Sequence, residues 1–189
     1  YLFLIEKVKA LYENSRDDNL EDFPISEREK FHKNGNRQDF EKLYFKRRDY
    51  LSAAAVLALF DKKYIHEVER IILAVCDEYC WALPAHTTGV GVDGKKVLDL
   101  FVAETSFALA EICYVFKGEI SPEVYGRVQR EIKTRLLGNY VSNTYWWENC
   151  NMNWAAVCGG YAGGALLYMF PDEFLAQKTR ILKTLKCYI

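Results

Sequence analysis

The sequence predicts an all-α fold built from antiparallel helical hairpins. Three observations predict it. Apolar residues recur at three- and four-residue spacings along most of the chain, and no run alternates as a half-buried strand would. Helix boundaries carry chemical markers: Ser121-Pro122-Glu123 supplies a cap, a first-turn proline and an early acid, and Pro171-Asp172-Glu173 ends one helix and opens the next. Connections alternate between short and long, and short ones force neighbouring helices to run antiparallel.

Taken in order, an amphipathic segment is expected over about Tyr1 to Asn14. The stretch from there to Gln38 is polar and charged, and it reads as a long loop or mobile arm. Six helical segments of similar size follow, at about Asp39–Phe60, Lys62–Trp81, Val97–Phe116, Pro122–Leu137, Met152–Phe170 and Asp172–Cys187. Gly118 and Gly138 read as helix stops. The expected organisation is therefore an N-terminal helix and polar loop over 1–38, then a helical-hairpin segment over 39–189. The short turns at Asp61, at Lys117 to Ser121 and at Pro171 fall at one end of such a stack. The long connections, Ala82 to Lys96 and Gly138 to Asn151, fall at the other. That end gathers Trp81, His86, Tyr145, Trp146, Trp147, Asn149, Asn151 and Asn153.

With 189 residues, half of them hydrophobic and 15% aromatic, the chain suits one domain or a large piece of one, with a sizeable core. It starts at Tyr1 and stops at Ile189 directly after a helical segment, so it reads as a fragment. Basic and acidic residues balance at 25 and 26, and no basic patch marks nucleic acid as a partner. The six cysteines form no CxxC pair; Cys76 and Cys80 with His86 fall one ligand short of a zinc set, so no metal or other cofactor is expected. Unpaired thiols favour a reducing compartment such as the cytoplasm, with a periplasmic or secreted site left open. The uncharged run Trp154–Pro171 has the length of a membrane span. Its four glycines each cost a helix roughly 1 kcal/mol relative to alanine, and Asp172 and Glu173 follow it directly. A central buried helix, approached closely by its neighbours, is the expectation.

The chemistry concentrates in Tyr145–Trp154, which holds three of the four tryptophans and three asparagines. Ring faces cover the apolar C–H face of a pyranose and amides bind its hydroxyls, although a structural corner of buried tryptophans has the same composition. His86, in the Trp81–His86 loop, could act as a base or bind a carboxylate. Asp99 suits the start of a helix, and Glu104, in an apolar segment, needs a partner. Asp99 with Glu104 would also suit the carboxylates of a glycosidase. Tyr44, Arg47 and Arg48 share a helix, and an arginine fork suits carboxylate or sulfate. No Walker loop, GxSxG, HExxH or dinucleotide fingerprint occurs.

Four stretches together resemble the heparinase II/III-like polysaccharide lyases: Tyr44–Arg48, Asp77–His86, Leu98–Thr105 and Asn153–Gly160. They occur in that family's order and span most of the chain from Asp39 to Phe170. The resemblance implies part of an incomplete α/α toroid, followed in full-length members by a β-sandwich domain. It implies β-elimination on an acidic, uronic-acid-containing polysaccharide such as a glycosaminoglycan, with no metal required. By motif position Asn153 would neutralise the uronate carboxylate, and His86, Trp147, Trp146, Asn151, Arg48 and Tyr44 would contact substrate. Trp154 stands where several members have histidine. The family's catalytic tyrosine and the sandwich histidine are expected beyond Ile189, so this piece is expected to hold an incomplete active site. A glycoside hydrolase on the same scaffold and a non-catalytic glycan-binding domain are the alternatives.

Overall fold

The structure, a computed structural model, describes residues 2–17, 19, 20, 23, 25–87 and 96–188. It is all-α, with no strand among the described residues. None of the described helices is long and apolar enough to cross a membrane. The chain divides into two compact units, Tyr1–Tyr79 with Gly118–Val124, and Cys80–Lys117 with Tyr125–Ile189.

In the first unit lie α1 (Leu2–Ser15), α2 (Ile25–Asn34), α3 (Gln38–Phe60) and α4 (Ile65–Asp77). Asp61 breaks the helix in an extended conformation and accepts from Lys63 N–H, which starts a single 3-10 turn and reverses the chain into α4. The α3–α4 hairpin buries Tyr44, Tyr50, Leu51, Ala54, Leu57, Val68, Ile71, Ile72 and Val75. Helix α1 packs on α3, with Tyr12 against the rings of Tyr50 and Tyr64.

Helix α2 corrects the expectation of a loop over the polar stretch. It lacks an apolar stripe, so hydrophobic periodicity does not reveal it. Its turns are tied by Lys30–Glu27 and Lys33–Glu29 ion pairs at 2.6 and 2.8 Å. Lys30 also reaches Asp39 in the first turn of α3 at 3.0 Å.

The second unit contains α5 (Leu100–Val115), most of α6 (Pro122–Ile132), α7 (Gly138–Ser142), α8 (Asn153–Met169) and α9 (Pro171–Lys186). Gly118, at φ +85°, takes the left-handed turn that follows α5. Gly138 does not stop a helix as expected. A π-helical turn over Lys133–Leu137 closes with Gly138 N–H on the Lys133 carbonyl, and the helix runs on to Ser142, burying Tyr140.

Helix α8 is the buried centre of this unit, packed against α5 and α9. Its small residues permit the approach: a Cβ on Gly163 would meet Ile181 at 3.0 Å, and one on Gly164 would meet the Phe107 ring at 2.6 Å. Phe107 stacks on Tyr161 and Tyr168, and Tyr168 stacks on Tyr114, so an aromatic ladder runs along α5 and α8. Gly164→Ala should displace Phe107 from that ladder and cost about 1–3 kcal/mol, read as a lowered midpoint in urea. Gly160→Ala meets only Leu185, at 4.0 Å, and lies at an exposed helical position, so it should raise the midpoint slightly, by the roughly 0.5–1 kcal/mol that alanine gains over glycine in a helix.

Candidate functional site

The second unit brings two sequence-distant loops together. Leu83-Pro84-Ala85-His86 follows α4, with Pro84–His86 as a 3-10 turn. Asp99, at the N-cap of α5, is buried and organises that turn. One of its oxygens accepts from Phe101 and Val102 N–H at 3.1 and 2.8 Å, as an N-cap does. The other accepts from Leu83 N–H at 3.3 Å and lies 2.6 Å from His86 Nδ1. The His86 side chain is 20% exposed and stacks on Phe101, with its ring centroid 5.0 Å from that of Trp154. Among the described residues no hydrogen bond occupies its Nε2.

Trp154, in the first turn of α8, is half-buried between His86 and Trp146. Trp146 is 59% exposed, and its ring centroid lies 5.1 Å from that of Trp154. The two indoles and the imidazole therefore make a stepped aromatic shelf, with Trp154 tilted 44° to Trp146 and 58° to His86, open to solvent at Trp146. Asn151 and Asn153 are both exposed beside it in sequence, and Asn153 is the first residue of α8. No side chain caps that helix start. Its backbone N–H groups and the positive end of its dipole are suited to an anion.

The 3-10 turn Trp146–Asn149 is fixed from behind. Trp147 is buried and donates its indole N–H to the Leu98 carbonyl at 3.2 Å, beside Asp99 in sequence. Its ring lies parallel to those of Tyr145 and Tyr140, with centroids at 5.2 and 6.4 Å. Glu148 accepts from Tyr145 N–H at 2.7 Å and takes both arms of Arg180, at 2.6 and 2.7 Å. Arg180 also donates to the Tyr140 and Asn143 carbonyls, both at 2.6 Å. Burial alone would raise the Glu148 carboxyl. The Arg180 and Tyr145 hydrogen bonds outweigh it and hold it below the usual carboxylate value. Burial pushes the Tyr140 and Tyr145 phenols up to about 12, so both stay protonated near neutral pH.

Three expected substrate contacts take structural places instead. Trp147 is in the core, because its indole N–H and both ring neighbours hold it there. Tyr44 is buried in α3, with the Arg48 guanidinium 4.0 Å above its ring. Arg48 is spent on Glu78, in a bidentate pair with both bonds at 2.7 Å. Glu104 lies on the exposed side of α5. Cys76 and Cys80 are buried, and no group of three His, Cys, Asp or Glu among the described residues is placed to hold a metal ion. The Asp99–His86 and Glu148–Arg180 pairs join residues 13 and 32 positions apart. Their only sequence signal is a charged residue inside an otherwise apolar or aromatic segment. Comparison with known proteins yields no family model and no curated sequence that matches this chain.

Proposed function

We propose that this chain forms the substrate-binding helical wall of a polysaccharide lyase that cleaves a uronic-acid-containing polysaccharide by β-elimination. The observation that carries the reading is the exposed aromatic shelf, Trp146, Trp154 and His86, next to an uncapped helix start bearing Asn153. A pyranose laid on the indoles would present its ring substituents to amide and imidazole groups. Asn153 and the N–H groups of the first turn of α8 would meet the uronate carboxylate. Neutralising that carboxylate lowers the cost of removing the C5 proton, because the charge that develops spreads onto it. The α3–α4 and α8–α9 hairpins would then be parts of an incomplete α/α toroid, with a β-sandwich domain following in the parent chain.

The glycoside-hydrolase alternative has less to support it. It needs Asp99 to face a sugar, and Asp99 is buried with both oxygens engaged. A non-catalytic glycan-binding domain would use the same shelf. Full-length protein offered several uronic polysaccharides separates the three readings. A lyase yields an unsaturated uronate, followed by its ultraviolet absorbance. Reducing sugar without that absorbance would indicate hydrolysis, and tight binding without turnover would leave the binding module. Under the lyase reading, Asn153→Ala should lower kcat/KM by about 100-fold or more, the usual loss when one preorganised donor to a developing charge is removed. Unchanged turnover would remove Asn153 from the mechanism.

A further inference from the structure

We infer that Asp99 is a positioning residue that fixes His86 with its proton on Nδ1, so that Nε2 is the acceptor offered to a hydroxyl of a sugar resting on Trp154 and Trp146. The inference rests on the carbohydrate part of the proposed function and adds the chemistry by which one sugar is held. The geometry is specific. Asp99 cannot turn away, because one oxygen caps α5 through two backbone N–H groups and the other holds Leu83 N–H. That second oxygen faces His86 Nδ1 at 2.6 Å, and a buried carboxylate there accepts a proton-bearing nitrogen. In neutral imidazole the remaining nitrogen, Nε2, must then be the acceptor. Phe101 stacks on the imidazole and Trp154 meets it at a tilt, and both contacts restrain the ring plane. A fixed acceptor beside an aromatic platform selects a donor on the sugar, which is a hydroxyl, and gives nothing to a carboxylate.

The test uses this chain labelled with nitrogen-15. It has three histidines, and His32 and His66 are both exposed, so His86 is identifiable in long-range proton–nitrogen correlation spectra. At a pH where the imidazoles are neutral, His86 should show a protonated Nδ1, whereas free imidazoles favour Nε2–H. Adding either a neutral or a uronic-acid tetrasaccharide should shift the His86 nitrogens and the Trp146 and Trp154 indole signals. In Asp99→Asn the amide oxygen can keep the cap of α5, and its NH2 then faces Nδ1, at the cost of the longer Leu83 N–H bond to the same position. The proton should move to Nε2, and affinity for both tetrasaccharides should fall roughly tenfold, the equivalent of one misdirected hydrogen bond.

A wild-type His86 protonated at Nε2 overturns the proposal without any variant. So does a reversed tautomer with unchanged affinity, or the absence of tetrasaccharide binding at the shelf. If tautomer and binding are as stated but full-length protein eliminates no uronate, the lyase reading falls and the role of Asp99 stands.

Discussion

Glu78→Ala should destabilise the first unit by about 4 kcal/mol, because it removes the carboxylate that pairs with both Arg48 and Arg47, leaving Arg47 to the Leu20 and Ala74 carbonyls. The Glu78 side chain is fully buried. It takes both arms of Arg48, and Arg47 reaches it at 3.3 Å. Burial pushes the Arg47 guanidinium below its ordinary value, with the Glu78 charge opposing. For Arg48 the balance goes the other way: desolvation acts against its charge, and Glu78 and Tyr44 together raise it further. Without the carboxylate, both cations sit in a poorly solvated site. A small domain has only about 5–15 kcal/mol of stability in total, so such a loss is visible as a large drop in the urea midpoint by circular dichroism. A loss under about 1 kcal/mol would mean that the guanidinium groups escape to water.

The second large effect is expected at Glu148, where alanine should cost about 3 kcal/mol. It would unpair Arg180 and leave the Tyr145 N–H without its acceptor. The 3-10 turn that carries Trp146 should loosen, and under the proposed function glycan binding at the shelf should weaken with it. The same pair sets a pH dependence. The Glu148 carboxyl is held below its unfolded value of 4.5, so its stabilisation is fully present above that pH. It is lost as pH falls through the lower folded value. Wild type should therefore lose stability on acidification through this window, and Glu148→Gln should lose less over the same interval. Equal acid slopes for the two proteins would refute the assignment.

The helices were legible from two signals: α4 and α9 carry an amphipathic period, whereas α3, α5 and α8 carry almost none and stand out as long helical segments between chemically marked stops. Segments α3, α4, α5, α8 and α9 lie within a few residues of their expected bounds, and the Pro122 and Pro171 starts are where their chemistry puts them. Helix α2 was not legible, since ion pairs rather than an apolar face stabilise it. Gly138 misled because a glycine can also adopt ordinary helical angles, and it does so at φ −58° after the π turn. At the site, composition pointed to the right segment but not to the right side chains. Trp146 and Trp147 are neighbours in sequence, yet one is exposed and the other buried, because a 3-10 turn sends consecutive side chains in different directions. Arg48 looked available for a ligand because Glu78, its partner, is thirty residues away.

The unequal burial of the four tryptophans gives the chain two built-in optical channels. Trp81 and Trp147 are buried, and Arg135 lies 4.6 Å from the Trp81 ring, so their emission should report on the integrity of the core. Trp146 and Trp154 meet at the shelf, which is open to an aqueous quencher and is the proposed place of a sugar. Quenching by iodide should thus fall mainly on one pair, and the red shift on unfolding mainly on the other. A single unlabelled sample can separate a ligand that occupies the shelf from a substitution that merely loosens the protein.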